Sequence, residues 1–392
     1  MKFSRRTDWN FELNSISRAL NGLRSRGTPM IDLTCSNPTH VQLPELDPDF
    51  LSVLSDQSNL AYHPEACGHS AARAAVARYY QEQGIDIAPS DIVLTAGTSE
   101  AYSFLFHILM DAGDEICFSR PGYPLFELLA GIHAAPWRSY RLDYMANRWC
   151  LDRDSLEVNV GRSTQAVVVV NPNNPTGSCL SPLETDAVYD ICRRCGAAVI
   201  CDEVFLDYPL DPSAALVSLA GRADHLTFVL GGLSKALGLP QMKLSWIVVS
   251  GPEDQKREAL ARLEMIADLY LSVNTPVQNA LTQWLAQRTA IQERILRRIR
   301  VNWNHLGRVL EGTDIQRLQA QAGWGAILRL PTGCDEEDFC LNLLNKEHVL
   351  AHPGYFFDCE DGSFIVVSLL PEEQDFLRGL KKIVRQTASY NF

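Results

Sequence analysis

The sequence predicts an α/β fold built on a mostly parallel sheet, and three observations predict it. Apolar runs recur between helical patterns, at 92–95, 115–118, 166–170, 198–201 and 227–230. The runs are near-continuous rather than alternating, the texture of strands covered by helices on both faces. Polar clusters follow their carboxyl ends (96–100, 120–124, 171–177 and 202–203), which is where open α/β sheets bind ligands.

The chain opens with a short helix carrying Ile16, Leu20 and Leu23 on one face, then an extended segment at 30–34. The loop 35–40 that follows includes Asn37. Its polar groups can face a ligand or simply form a proline-punctuated turn. A loop at 60–68, containing Tyr62, leads into an alanine-rich helix through Tyr80. Strand and helix alternate from there to Val249.

Asn274-Thr275-Pro276 then reads as a helix start. Periodic apolar residues from Leu281 to Leu310 predict one long helix spanning between domains. A smaller α+β unit follows, with strands at 326–330 and 364–368 around a helix near 335–346. A last helix after Pro371 shows Phe376, Leu377, Leu380, Ile383 and Val384 on one face. The expected division is an N-terminal segment of the small domain (1–46), a large domain (47–280), the long helix (281–312) and a C-terminal small domain (313–392).

At 392 residues the chain is long enough for a large domain with a smaller companion. Its formal charge of -12, with no basic block, argues against nucleic-acid binding. The 11 cysteines are odd in number and scattered, fitting reduced thiols in a cytoplasmic protein. Cys192-Arg193-Arg194-Cys195 has no second pair and reads as structural. Ser4-Arg5-Arg6 is followed by a polar stretch, so an export signal is not expected. No run approaches the roughly 18 apolar residues of a membrane span.

Chemistry concentrates after the run 227–230. Gly231-Gly232-Leu233 leads to Ser234 and to Lys235, a lone lysine in apolar company. Apolar surroundings favour the neutral amine, which is the form that attacks an aldehyde. Ser234 and Lys243 add a hydroxyl and a cation able to hold a phosphate. Together they suggest pyridoxal 5′-phosphate held as a Schiff base; a buried strand and a loop with a solvated lysine is the bland alternative.

Asp202 ends a buried run, where a carboxylate must be paired or hydrogen-bonded. It can face a protonated pyridine nitrogen or cap a turn. Asn174 can donate to a ring oxygen, or belong to a plain Asn/Pro/Gly turn. Gly97-Thr98-Ser99 precedes a helix whose first N–H groups suit a phosphate, although Thr and Ser also open ordinary helices. Tyr123 can stack on a flat ring or sit in a loop.

Taken together, Asn171-Pro172-Asn173-Asn174-Pro175-Thr176-Gly177, Asp202-Glu203-Val204-Phe205 and Ser234-Lys235-Ala236-Leu237-Gly238-Leu239-Pro240 resemble the class I/II aminotransferases, of the fold-type I pyridoxal-phosphate enzymes. The likeness covers essentially the whole chain. It implies a seven-stranded, mostly parallel sheet flanked by helices, with a smaller α+β domain built from both chain ends. It implies Lys235 as the Schiff-base lysine and proton shuttle, Asp202 at the ring nitrogen and Asn174 at the ring oxygen. It also implies Tyr123 on the ring face, and Gly97, Thr98, Ser99, Ser234 and Lys243 around the phosphate. Tyr62 would reach the partner's phosphate across a homodimer, and Asn37 with Asn174 would contact substrate.

Three departures stand out. Lys243 replaces a usual arginine, and Phe205 a usual tyrosine. Val366 stands where relatives carry the arginine that grips the substrate carboxylate, leaving Arg120, His352 or His40 as substitutes. The implied activity is ping-pong transfer of an amino group between an amine or amino acid and a keto acid. The residues leave open a carbon–sulfur lyase, a decarboxylase and a non-catalytic cofactor-binding homologue.

Overall fold

In the computed structural model, residues 1–43, 46, 48–212 and 216–388 are described. The strands are β1 (Ile31–Asp32), β2 (Ile92–Thr95), β3 (Glu115–Arg120), β4 (Trp137–Met145), β5 (Arg148–Leu151), β6 (Thr164–Val170) and β7 (Ala198–Asp202). They continue with β8 (Thr227–Gly232), β9 (Ser245–Ser250), β10 (Gln316–Arg317), β11 (Gly325–Arg329), β12 (Val349–Leu350), β13 (His352–Pro353) and β14 (Phe364–Ser368).

The large sheet runs β2-β9-β8-β7-β6-β3-β4-β5. Pairs from β8 through β4 are parallel, while β9 is antiparallel to both its neighbours. Eight strands form it where seven were expected. The extra one, β5, folds back on β4 as a hairpin; its half-exposed, alternating Arg-Trp-Cys-Leu lacks the apolar continuity of the inner strands.

Why the inner strands read as unbroken apolar runs is plain from their packing. Val167, Val169, Cys201, Val229 and Val248 join one core layer, and Val168, Ile200, Phe228, Leu230 and Ile247 join the other. Successive side chains point to opposite faces, so both faces need apolar residues. Each such buried side chain contributes about 1.5–3 kcal/mol relative to exposure.

A second sheet, β10-β11-β14-β13, stands over the carboxyl ends of the first, and β1 pairs with β12. The two chain ends therefore meet in one small α+β unit, as expected. The helical stretch expected from Asn274 to Leu310 is two helices, Thr275–Ala286 and Arg288–Leu310, meeting at Gln287. The first packs on helix Ser70–Gln81 and the second on the last helix, Glu373–Ala388. Two different partners set two axes.

One turn joins the units. The carbonyl of Gly177 accepts from the N–H groups of Gln321 and Ala322 (2.8 and 3.0 Å), and Gly323 N–H donates to Tyr208 O (2.9 Å). Gly177 has φ +65, and a Cβ there would meet the carbonyl oxygen of Ala322. Gly177→Ala is expected to lower stability by about 2–4 kcal/mol, combining left-handed strain with a clash against rigid backbone. Urea unfolding of the variant checks this; a loss below about 1 kcal/mol would show that the turn can yield.

Candidate active site

Lys235 lies in the short helix Leu233–Ala236, which begins as β8 ends. Among the described residues its Nζ has no hydrogen-bond or ion-pair partner. Nζ faces two aromatic rings, 5.5 Å from the Phe205 centroid and 5.1 Å from that of Trp324. Burial pushes its pKa down, against a smaller upward pull from Asp202. That favours the neutral, nucleophilic amine.

Asp202 ends β7 beside Leu230 of β8 and Val170 of β6. Its Oδ2 accepts from Tyr102 Oη (3.1 Å) and its Oδ1 from the N–H of Val204 (3.1 Å). Burial dominates and raises its pKa to about 6, opposed by those two donors and by Lys235. Tyr102 sits one turn into helix Thr98–Leu109, and nothing in its local pattern links it to Asp202.

Two of the phosphate candidates lie close together, Gly97 and Lys243. Gly97 caps that helix in extended backbone, and a Cβ on it would lie 3.4 Å from Lys243 Nζ. The side chain from beyond β8 therefore reaches the helix start, whose first N–H groups have no partner inside the helix. Ser234, beside Lys235, is half-buried.

In the loop after β6, Asn173 carries the structural load. Its Nδ2 donates to Ser119 Oγ (3.1 Å), and its Oδ1 accepts from Thr176 Oγ1 (2.8 Å). Asn174, by contrast, has no side-chain partner among the described residues and is half-buried. Tyr123 is 45% exposed, and burial pushes its hydroxyl pKa up, with Asp202 adding to the rise. Tyr62, 74% exposed, lines a cleft with Leu271 and Ser272. Asn37 caps the turn Pro38–Val41, its Oδ1 accepting from Thr39 N–H and Oγ1, which leaves only its Nδ2 for a ligand.

Tyr208 and Trp324 were not legible as site residues. Tyr208 Oη donates to the backbone oxygen of Lys235 (2.6 Å), and its ring meets Trp324 edge-on at 4.9 Å. Trp324 also meets Phe205 edge-on at 5.5 Å. These rings set where the amine stands. An aromatic preceding β11 in sequence carries no local mark of such a role.

Of the three proposed substitutes for the missing arginine, Arg120 is occupied. Its guanidinium pairs with Glu127 (2.5 Å) and Asp358 (3.4 Å) and lies 4.9 Å over Trp137. His40 is exposed on its turn. His352 is the direct cross-strand neighbour of Val366. Val366 itself is buried, and β14 carries no basic residue at any position.

A family model described as aminotransferase class I and II matches residues 28–378. Glutamate-pyruvate aminotransferase AlaA of Haemophilus influenzae is 27% identical over 385 residues, covering 94% of this chain and 93% of its own length. Alanine aminotransferase of Mycobacterium tuberculosis is 27% identical over 340 residues, covering 82% and 76%. Among solved structures, an alanine aminotransferase from Pyrococcus furiosus superposes with a TM-score of 0.89 at 22% identity, over 99% of this chain and 100% of that one. The chain is a member of the class I and II aminotransferase family.

Proposed function

We propose that this aminotransferase uses pyridoxal 5′-phosphate, and that the region around Lys235, at the carboxyl ends of β6, β7 and β8, is where it moves an amino group between an amino acid and a keto acid. The cofactor's groups each find a counterpart. Gly97, Thr98, Ser99, Ser234 and Lys243 would hold the phosphate, since the missing side chain of Gly97 leaves the space that Lys243 Nζ borders. Asp202 would face the ring nitrogen, Asn174 the ring oxygen, and Tyr123 the ring face. Lys235 would bond to the aldehyde carbon.

When bound, the cofactor supplies an electron sink that makes a substrate Cα–H acidic. Lys235 Nζ takes that proton and gives it back, a role that needs a largely neutral amine in a site sheltered from water. Phe205, Trp324 and Tyr208 provide the shelter and fix the lysine's backbone. Asp202, ionised against a cationic ring nitrogen, keeps that nitrogen protonated. The observation that carries this reading is Lys235 itself, an amine without a hydrogen-bond partner among the described residues, facing two rings and within electrostatic reach of a strand-ending carboxylate.

Tyr62, 74% exposed, would be available to reach the phosphate of a partner subunit in a homodimer with shared sites. All eleven cysteines are free thiols, fitting the cytoplasm. No helix among the described residues is long and apolar enough to cross a membrane.

The test is a single half-reaction. Cofactor-loaded protein given L-alanine or L-glutamate, with no acceptor, is expected to form one equivalent of keto acid while its cofactor passes from aldehyde to amine form. Release of carbon dioxide from these donors, or of ammonia, pyruvate and sulfide from L-cysteine given in their place, over many turnovers without acceptor would instead indicate decarboxylation or elimination.

A further inference from the structure

An amino-acid donor brings a carboxylate into this site, and a carboxylate needs a charged or strongly donating partner there. Strand β14, across from β11, offers none: it reads Phe-Ile-Val-Val-Ser. In the small sheet Val366 is opposed by Ile327 on one side and by His352 on the other. Residues directly opposite across antiparallel strands share a face, so Ile327, Val366 and His352 lie together.

That face is turned toward the large sheet. Arg329, two residues along from Ile327, stands 5.8 Å over Tyr144 of the β4–β5 hairpin. Arg329 is itself engaged, with Phe364 at 5.3 Å and a bond to Gln316 Oε1 (3.3 Å). His352 is not engaged in this way. Among the described residues neither of its ring nitrogens has a hydrogen-bond partner. Its ring is half-buried, tilted against Phe356 (5.5 Å) and Phe357 (5.9 Å). The carbonyl of Phe357 accepts from Gly122 N–H (3.0 Å), the residue before Tyr123. His352 is therefore one ring away from the turn that presents Tyr123.

Resting on the aminotransferase reading above, we propose that His352 is the residue that recognises the donor's carboxylate, through a single protonated imidazole in place of a guanidinium fork. The charged groups on neighbouring elements leave it free for this. Asp32 of β1, which pulls His352 toward the charged form, has its Oδ1 committed to Thr34 N–H and Oγ1 (2.8 and 2.6 Å). Glu336, from the helix Glu336–Glu347, accepts from the N–H groups of Tyr355 and Phe364. Asp358 is bound by Arg120. Cys340 stays a neutral thiol because burial raises its pKa.

Burial outweighs Asp32 and places the His352 pKa below its ordinary 6.5. The charged form is thus present at low pH and lost as pH rises, and carboxylate binding follows the same direction.

The experiment measures propanoate and propylamine binding to the cofactor-loaded protein by calorimetry at about pH 5.5 and about pH 8. Propanoate is expected to bind about tenfold tighter at the lower pH, the size of one charge-assisted hydrogen bond. His352→Phe should weaken it to one low value at both pH values. His352→Arg should bind it tightly at both, and should also lower KM for L-alanine without raising kcat. Propylamine, lacking the carboxylate, should bind all three proteins alike. If His352→Phe and His352→Gln keep the parent's propanoate affinity and pH dependence, the carboxylate is held elsewhere and the proposal falls. Borohydride fixation of cofactor to Lys235 in the same samples separates the two levels. A fixed adduct with unchanged propanoate binding overturns His352 alone, whereas no adduct overturns the cofactor reading beneath it.

Discussion

Lys235→Ala is expected to reduce turnover by at least about 10⁴-fold while the protein still retains cofactor through its phosphate. Two roles vanish together, since the same amine would hold the aldehyde and carry the substrate proton. The loss should appear in kcat rather than in KM, because the proton moves only on the way to the transition state. Binding should weaken less, as Gly97, Thr98, Ser99, Ser234 and Lys243 remain. Added methylamine is expected to restore part of the rate if the vacated volume between Phe205 and Trp324 admits it. A variant keeping more than about one hundredth of the parent rate would mean that another base performs the step.

The second large effect is expected from Asp202→Ala, on the order of 10³-fold in kcat, set against about tenfold or less for Lys243→Ala. Asp202 is buried, held by Tyr102 and the N–H of Val204, and fixed by strands on both sides. In the proposed role its carboxylate would act on the ring's electron demand, which matters most when charge develops. Lys243 would be one of several groups around the phosphate, so its loss should weaken cofactor affinity more than rate. Asp202→Asn should leave the fold intact and still lose most of the rate, since a neutral amide cannot hold a proton on the ring nitrogen. Equal losses for Asp202→Ala and Lys243→Ala, measured at saturating cofactor, would refute the assigned division of labour.

Much of this was legible because two-sided burial writes itself into sequence. β6, β7, β8 and β9 are apolar at every inner position, since helices cover both faces, and the polar groups stand directly after them. Asp202 was legible as a candidate because it directly ends an apolar run, and Lys235 and Asn174 because they lie within a few residues of one. Edge elements were not. β5 is four residues, only two of them buried, and β13 is only two residues long, too short for a convincing period. The break at Gln287 has no glycine or proline to announce it and comes from tertiary packing alone. Tyr208 and Trp324 act through contacts between distant segments, as do Tyr102 on Asp202 and Asp358 on Arg120. Arg120, legible as a free cation, is committed to Glu127 and Asp358.

The most direct measurement is reduction of the cofactor-loaded protein with borohydride, followed by proteolysis and mass spectrometry of the peptide spanning Lys235. The account predicts that this peptide alone gains the mass of the reduced cofactor, and that L-alanine added beforehand prevents it. Fixation at Lys243 or any other lysine, or no fixation at all in a coloured preparation, would contradict it.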